Sequence, residues 1–475
     1  MTRADFEAVI GLEVHAQLLT ASKLFCGCST TFGAPPNHHT CPVCLGLPGA
    51  LPVLSRRAVE FAIRLGLAVG CTIRKKNRFA RKNYFYPDLP KGYQISQYEE
   101  PICEGGRLDV AGKVVRLRRI HMEEDAGKCV HDAAGSSVDL NRAGVPLLEI
   151  VSEPDLSTPE EAGVYLRALR DIVVYLGVCD GNMEEGSFRC DANVSVRRAG
   201  ARELGTRAEI KNVNSFRFVE KAIAYEIARQ VDVVLSGGSV VQETRLFDSD
   251  RGITQSMRGK EEAHDYRYFP DPDLLPLDIA DASIDDVRRT LPELPAARRS
   301  RFLVEYGISE ADAVVLTADR VVAEFFDVVM RAYAGDGRRA AGFLRTDWLR
   351  VANDRGAADV VARVPAAKIA QLLQMVDAGT ISIAARREVF ALLVDAGEGD
   401  PEAIVRERGL AQTSDAGAIE AAVDAVLSAN PNEVAAYRAG KEKLLSFFVG
   451  QVMKATRGKA NPAIVNDLVL KRLRS

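Results

Sequence analysis

Val9-Ile10-Gly11-Leu12-Glu13-Val14-His15-Ala16-Gln17 reads, at a two-residue period, as a strand with two unlike faces. Ile10, Leu12, Val14 and Ala16 fall on one side, Glu13, His15 and Gln17 on the other. A merely solvated face would favour Lys, Thr or Arg. Here a carboxylate and an imidazole stand two residues apart, and both are ligands for a hard or borderline cation. Half-polar strands are common in antiparallel sheets, so this reading depends on matching groups elsewhere in the chain.

Later segments supply them. Val145-Pro146-Leu147-Leu148-Glu149-Ile150-Val151 sets one carboxylate inside an apolar run, which is costly unless that group is paired or metal-bound. Phe188–Val196 alternates again, with Arg189, Asp191, Asn193 and Ser195 on its polar side, and Ala208–Asn212 adds Glu209 and Lys211. The run His121-Met122-Glu123-Glu124-Asp125-Ala126-Gly127-Lys128 sits in a region of short strands and turns. Its three adjacent acids repel one another unless a cation or donors hold them, and Gly127 permits a sharp turn. Thr158-Pro159-Glu160-Glu161 opens a helix that Gly177 stops. Together these segments predict an α+β protein whose mainly antiparallel sheet forms a polar cradle beneath covering helices.

Cys26-Gly27-Cys28 and Cys41-Pro42-Val43-Cys44 have the spacing of a knuckle pair around one tetrahedral Zn²⁺. Four thiolates leave no open position for substrate, so this zinc is expected to be structural. His38 and His39, inside the loop, are alternative ligands. Between Arg74 and Lys82 six basic residues fall within nine positions, followed by Tyr84, Phe85 and Tyr86. That composition suits an anionic, phosphate-rich ligand, although basic runs are often only solvated faces.

Beyond Pro292-Glu293-Leu294-Pro295 the pattern becomes helical, with helices expected over 319–333, 366–378, 382–396, 416–428 and 432–456 and a last one from Asn461-Pro462. The expected domains are 1–292, a helical domain at 293–410 and a helical tail at 411–475. From Arg438 to Ser475 nine Lys or Arg face two acids, a net of +7 on a chain whose net charge is −3. This segregation points to a polyanion-docking surface, against the plainer reading of a solvated bundle face.

The 475 residues, 47% hydrophobic and 27% charged, have ordinary globular composition. A polar N-terminus, no apolar run of membrane-spanning length and nine scattered cysteines predict a cytoplasmic protein without a disulfide framework. No P-loop, dinucleotide-binding glycine motif, nucleophile elbow or kinase signature occurs. Two other classes fit parts of the chain. A non-catalytic, zinc-dependent nucleic-acid-binding protein would use the knuckles and basic segments but leaves the acidic strands unused. A metal hydrolase would use Glu13 and His15 without ATP.

VIGLEVHAQL (9–18), RKNYFYPD (81–88), YQISQ (93–97), HMEEDAGK (121–128), DLNR (139–142), LLEIVSEPD (147–155), MEEGSFRCDAN (183–193), DYRYFP (265–270) and FFVGQVMKATRGKANP (447–462) together resemble the B subunit of the tRNA-dependent amidotransferase. The resemblance spans essentially the whole chain. It implies an ATP-dependent ligase acting on misacylated Glu-tRNA(Gln) or Asp-tRNA(Asn). The side-chain carboxylate would be phosphorylated, and ammonia from a separate glutamine-hydrolysing amidase (glutaminase) would displace the phosphate. A small third protein would complete a heterotrimer. The resemblance further implies an Mg²⁺ site at Glu13, His15, Glu124 and Glu149 with Asp191 nearby, an ammonia passage at Lys82 and Lys91, and structural zinc on Cys26, Cys28, Cys41 and Cys44. The tail would grip tRNA, with Lys454, Arg457 and Lys459 as contacts.

Overall fold

The computed structural model describes residues 2–132, 135–259, 265–412, 416–456 and 459–474. The chain divides into two compact units, 1–294 and 295–475. The division falls within Pro292-Glu293-Leu294-Pro295, and Pro295 opens the helix Pro295–Glu305.

The fold is α+β. The opening strand, Phe6–Gln17, runs through the middle of the first unit's main sheet. It pairs antiparallel with Pro146–Ser152 on one side and Phe188–Arg198 on the other. The sheet continues outward through Lys113–Glu124 in one direction and through Ala208–Lys211, Glu243–Asp248 and Ile253–Gly259 in the other. Of these pairings one is parallel, Ala208–Lys211 with Glu243–Asp248.

Alternation decides what each face meets. Ile10, Leu12, Val14 and Ala16 are at most 1% exposed and join one core cluster. The helices Arg56–Ala68, Pro159–Tyr175 and Phe216–Leu235 contribute Phe61, Tyr165, Leu169, Val219 and Ile223 to the same cluster. Each fully buried aliphatic or aromatic side chain is worth about 1.5–3 kcal/mol. A one-residue slip of the strand would put Glu13 and His15 into that core, so the register is strongly fixed.

The helix after Thr158 forms as its start signal predicts. The Thr158 side chain accepts a hydrogen bond from the Glu161 amide, and Gly177 follows the last turn at φ +65°. Two local expectations change. Gly127 is not at a left-handed φ; it is close-packed instead, because a Cβ there would lie 2.9 Å from the Asp139 carbonyl and 3.1 Å from that of Asp88. In place of only short strands after Arg116, Lys113–Glu124 is one twelve-residue strand.

The second unit is helical, with Arg320–Ala332, Ala366–Asp377 and Ile383–Ala396 close to their expected spans. The single helix expected over 432–456 is two, Pro431–Arg438 and Leu444–Ala455, separated where Gly440 takes φ +99°. Leu444–Ala455 packs with Ala416–Ala429 and Pro462–Arg474 around Val423, Phe448, Val452, Val465 and Val469. Among the described residues no helix is long and apolar enough to cross a membrane.

Candidate active site and metal centres

On the sheet face opposite the covering helices, strand register converts sequence spacing into rows of side chains. One row runs Arg119, Val151, Glu13, Asp191; the next runs His121, Glu149, His15, Arg189. In the second row His15 Nε2 lies 3.3 Å from Glu149 Oε2, and His121 Nε2 lies 3.5 Å from the same oxygen. Glu123, two residues beyond His121 on the same strand face, brings Oε1 to 3.5 Å from His15 Nε2. His15, Glu123 and Glu149 thus each offer a ligand atom, all within 4.8 Å of one another.

The members of this group hold one another in their charged forms. Burial opposes charge on His15, but the hydrogen bond and charge of Glu149, with Glu123 and Asp191, outweigh it and hold the imidazole up at about 9. Burial likewise opposes charge on Glu149. His121, His15 and Lys82 overcome it and keep that carboxyl well below its usual range. Glu123 and Glu149 are thus kept ionised beside a protonated His15, and a divalent cation that displaces that proton would meet two carboxylates as hard oxygen ligands and a neutral imidazole as a borderline one. The buried Nδ1 of His121 has no hydrogen-bond partner among the described residues.

Around this group the expected site residues are distributed unevenly. Glu13 accepts a hydrogen bond from Asn193 Nδ2 at 2.8 Å and sits opposite Asp191, one row from His15. Asp191 is paired with Lys211 Nζ at 2.5 Å. Asp125 is buried and takes hydrogen bonds from Arg189 and Gln17, each 2.8 Å. Lys82 lies with Nζ 4.8 Å from the Tyr266 ring centre.

Glu124 is elsewhere. It forms an ion pair with Lys91 and accepts the Ile95 amide at 2.9 Å. Both residues line a small cavity of about 110 Å³ that Cys26, Cys44 and Gly144 also border. Strand alternation separates the two neighbouring acids, and a bulge earlier in the strand sets which of them faces His15. Register between Lys113–Glu124 and Pro146–Ser152 shifts between Val151 and Ser152, so the buried apolar positions change from Val115 and Leu117 to Ile120 and Met122. After that switch Glu124 shares the parity of Ile120 and Met122, and Glu123 that of His121. The parity change from 115 and 117 to 120 and 122 is visible in the sequence and is the signal that selects Glu123.

The Sγ atoms of Cys26, Cys28, Cys41 and Cys44 also lie within 4.8 Å of one another. Cys44 and Cys41 are 3.8 Å apart, the edge of a thiolate tetrahedron with Zn–S bonds of about 2.3 Å. A hydrogen bond from Cys26 pulls the Cys44 thiol down to about 4, with help from the charge of Lys23, and the same contact pushes Cys26 up. The side chain of Lys23 is buried beside the cluster and donates to the His39 carbonyl at 2.7 Å. The donor set fits zinc.

Residues 8–285 match the model of the GatB/GatE catalytic domain, and residues 324–473 match that of the GatB domain. The B subunit of the aspartyl/glutamyl-tRNA(Asn/Gln) amidotransferase of Nitratidesulfovibrio vulgaris is 60% identical over 99% of this chain and 100% of its own length. The chain belongs to this family. The corresponding protein of Anaeromyxobacter sp. is also 60% identical, over the full length of both chains, and that of Syntrophotalea carbinolica is 58% identical over 98% of each.

In the second unit Lys454, at the end of Leu444–Ala455, and Lys459 are exposed. Arg457 lies outside the described residues.

Proposed function

We propose that this chain is the ATP-dependent half of a tRNA-dependent amidotransferase. It would phosphorylate the side-chain carboxylate of Glu-tRNA(Gln), Asp-tRNA(Asn) or both, and direct ammonia to the activated carbonyl. The observation that supports this most is the gathering of His15, Glu123 and Glu149 on a face that also holds Asp191–Lys211 and Arg189. Phosphoryl transfer between two anions needs charge neutralisation and positioning more than covalent catalysis. His15, Glu123 and Glu149 would hold Mg²⁺, which when bound offsets charge between the ATP phosphates and the substrate carboxylate. Glu13, kept in place by Asn193, and Asp191, paired with Lys211, would orient groups at the edge of that site.

Lys82 and the Lys91–Glu124 pair would line the path of ammonia. Its source would be a glutaminase partner, with a small third protein completing a cytoplasmic heterotrimer. The four cysteines would hold a structural zinc that pins residues 26–44. The basic tail, with Lys454 and Lys459, would grip the tRNA.

The test is to co-express the full chain with candidate amidase and small partner proteins, then supply each misacylated tRNA with glutamine, Mg²⁺ and ATP. Amide formation that requires ATP and both partners is expected. Release of the amino acid from the tRNA without ATP would favour a hydrolase, and tRNA binding without ATP turnover a non-catalytic zinc protein.

A further inference from the structure

His15 and His121 point the same ring nitrogen at the same two carboxylates, yet their surroundings differ. His121 stands opposite Glu149 across the strand boundary and two residues before Glu123 on its own strand face. Its Nε2 lies 3.5 Å from Glu149 Oε2 and 3.8 Å from Glu123 Oε2. His15 Nε2 meets that same Glu149 oxygen but the other oxygen of Glu123, Oε1. The Ser96 hydroxyl donates to Glu123 Oε2 at 3.3 Å. One oxygen of Glu123 is thus faced by Ser96 and His121, and the other is presented to His15.

Burial decides what His121 can do there. Its side chain is 3% exposed, against 18% for His15. Its Nδ1 is buried and has no hydrogen-bond partner among the described residues. A proton on Nδ1 would be a desolvated donor without an acceptor, whereas a proton on Nε2 faces two carboxylates. The ring proton of His121 therefore belongs on Nε2. A ring nitrogen that carries a proton has no lone pair to give a metal, so the tautomer that suits this burial keeps Nε2 out of the coordination shell. His15, partly open, is under no such constraint.

We infer that His121 is a positioning residue for the cation: its Nε2–H holds the carboxylates of Glu123 and Glu149 in place, while His15 alone gives the ion a ring nitrogen. This deepens the reading above, in which His15, Glu123 and Glu149 hold Mg²⁺, and rests on it. It leaves the ion three protein ligands rather than four, and so one more position for substrate oxygens. Loss of a residue that orients ligands from behind costs about tenfold to a hundredfold in metal affinity.

The test uses the full chain in its complex, with Mn²⁺ as the probe and neither ATP nor tRNA present. Gln places its amide nitrogen near the Nε2 of the histidine it replaces and Asn near Nδ1, so the two variants share polarity and differ in where the donor stands. His121→Asn should weaken Mn²⁺ binding on the order of tenfold to a hundredfold, and His121→Gln should restore it to within about threefold of native. At saturating Mn²⁺ the hyperfine spectrum should show one imidazole nitrogen in the native protein and in His121→Asn, and none in His15→Gln. Two imidazole nitrogens in the native protein, falling to one in His121→Asn, would make His121 a ligand and overturn the inference. Native affinity in a folded His121→Asn protein would also overturn it, as would equal weakness of His121→Gln and His121→Asn. A native protein that binds no Mn²⁺ would remove the metal reading itself, and this inference with it. None of these measurements needs turnover, so they are separable from failure of the transamidation assay.

Discussion

Among the described residues the first unit contains two clusters able to hold a metal, and they are built in opposite ways. The four cysteines come from one loop within nineteen consecutive positions and close on themselves. His15, Glu123 and Glu149 come from three neighbouring strands, and their geometry exists only while the sheet's register holds. A closed set of four thiolates saturates its ion and can only brace the chain, whereas three ligands leave coordination positions for substrate oxygens. The contrast predicts that damage to the first cluster appears in stability and damage to the second in chemistry.

The largest effect is expected at Glu149. Glu149→Gln keeps the shape but removes a partly buried negative charge that His15 and His121 face, and should lower ATP-dependent transamidation on the order of a thousandfold. Circular dichroism and the thermal midpoint should show a folded protein; retained activity would remove the metal group from the chemistry. His15→Ala should act in the same direction.

Next, the neighbouring acids should separate. Glu123→Gln should depress ATP cleavage on the order of a hundredfold. Glu124→Gln, which leaves Lys91 without its partner, should spare ATP cleavage and reduce transfer of ammonia to product. Equal loss of both steps in both variants would show that the two strand faces do not divide their roles.

A smaller effect on rate is expected in the tail. Removing 438–475 would strip Phe448, Val452, Val465 and Val469 from a core shared with Val423, so charge substitution is the cleaner probe. Lys454→Gln combined with Lys459→Gln should raise KM for tRNA and reduce the salt dependence of tRNA binding by about two counterions. The rate at saturating tRNA should stay near its native value, and an unchanged salt slope would remove these two lysines from the interface.

The smallest effect on rate should come from Cys41→Ser. It should lower bound zinc, measured by atomic emission, and shift the thermal midpoint down by several degrees, leaving the rate per folded molecule nearly intact. A rate loss comparable to that of Glu149→Gln would erase the distinction between the two clusters.

How much of the molecule is legible in its sequence follows from the same contrast. The thiolates are a local pattern, so their spacing is enough to group them. The two faces of Phe6–Gln17 are legible because one period runs unbroken from Ile10 to Gln17 against a helix-covered core. Asp191 and Lys211 each lie on an alternating strand and can be assigned to the polar side. Pairing, however, is a long-range property. That Glu149 faces His15 across one strand boundary and His121 across the other depends on register that no single segment encodes. Glu124 is expected beside His15 and found elsewhere because one bulge reverses the parity of its strand. The split of 432–456 escapes for a different reason, since apolar periodicity resumes after Gly440 and conceals the break.

The bulge beside Val151 also bears on how this segment can change over evolutionary time. Substitutions in Lys113–Glu124 alter one face at a time. A single-residue insertion or deletion between Leu117 and His121 would exchange the faces presented by everything after it. Glu124 would turn towards His15, and Glu123 towards Lys91 and the cysteine loop. The peptide joining these two acids is a partition between two compartments, and its position is counted from a defect in the strand. Length in this stretch should therefore be under tighter constraint than side-chain identity.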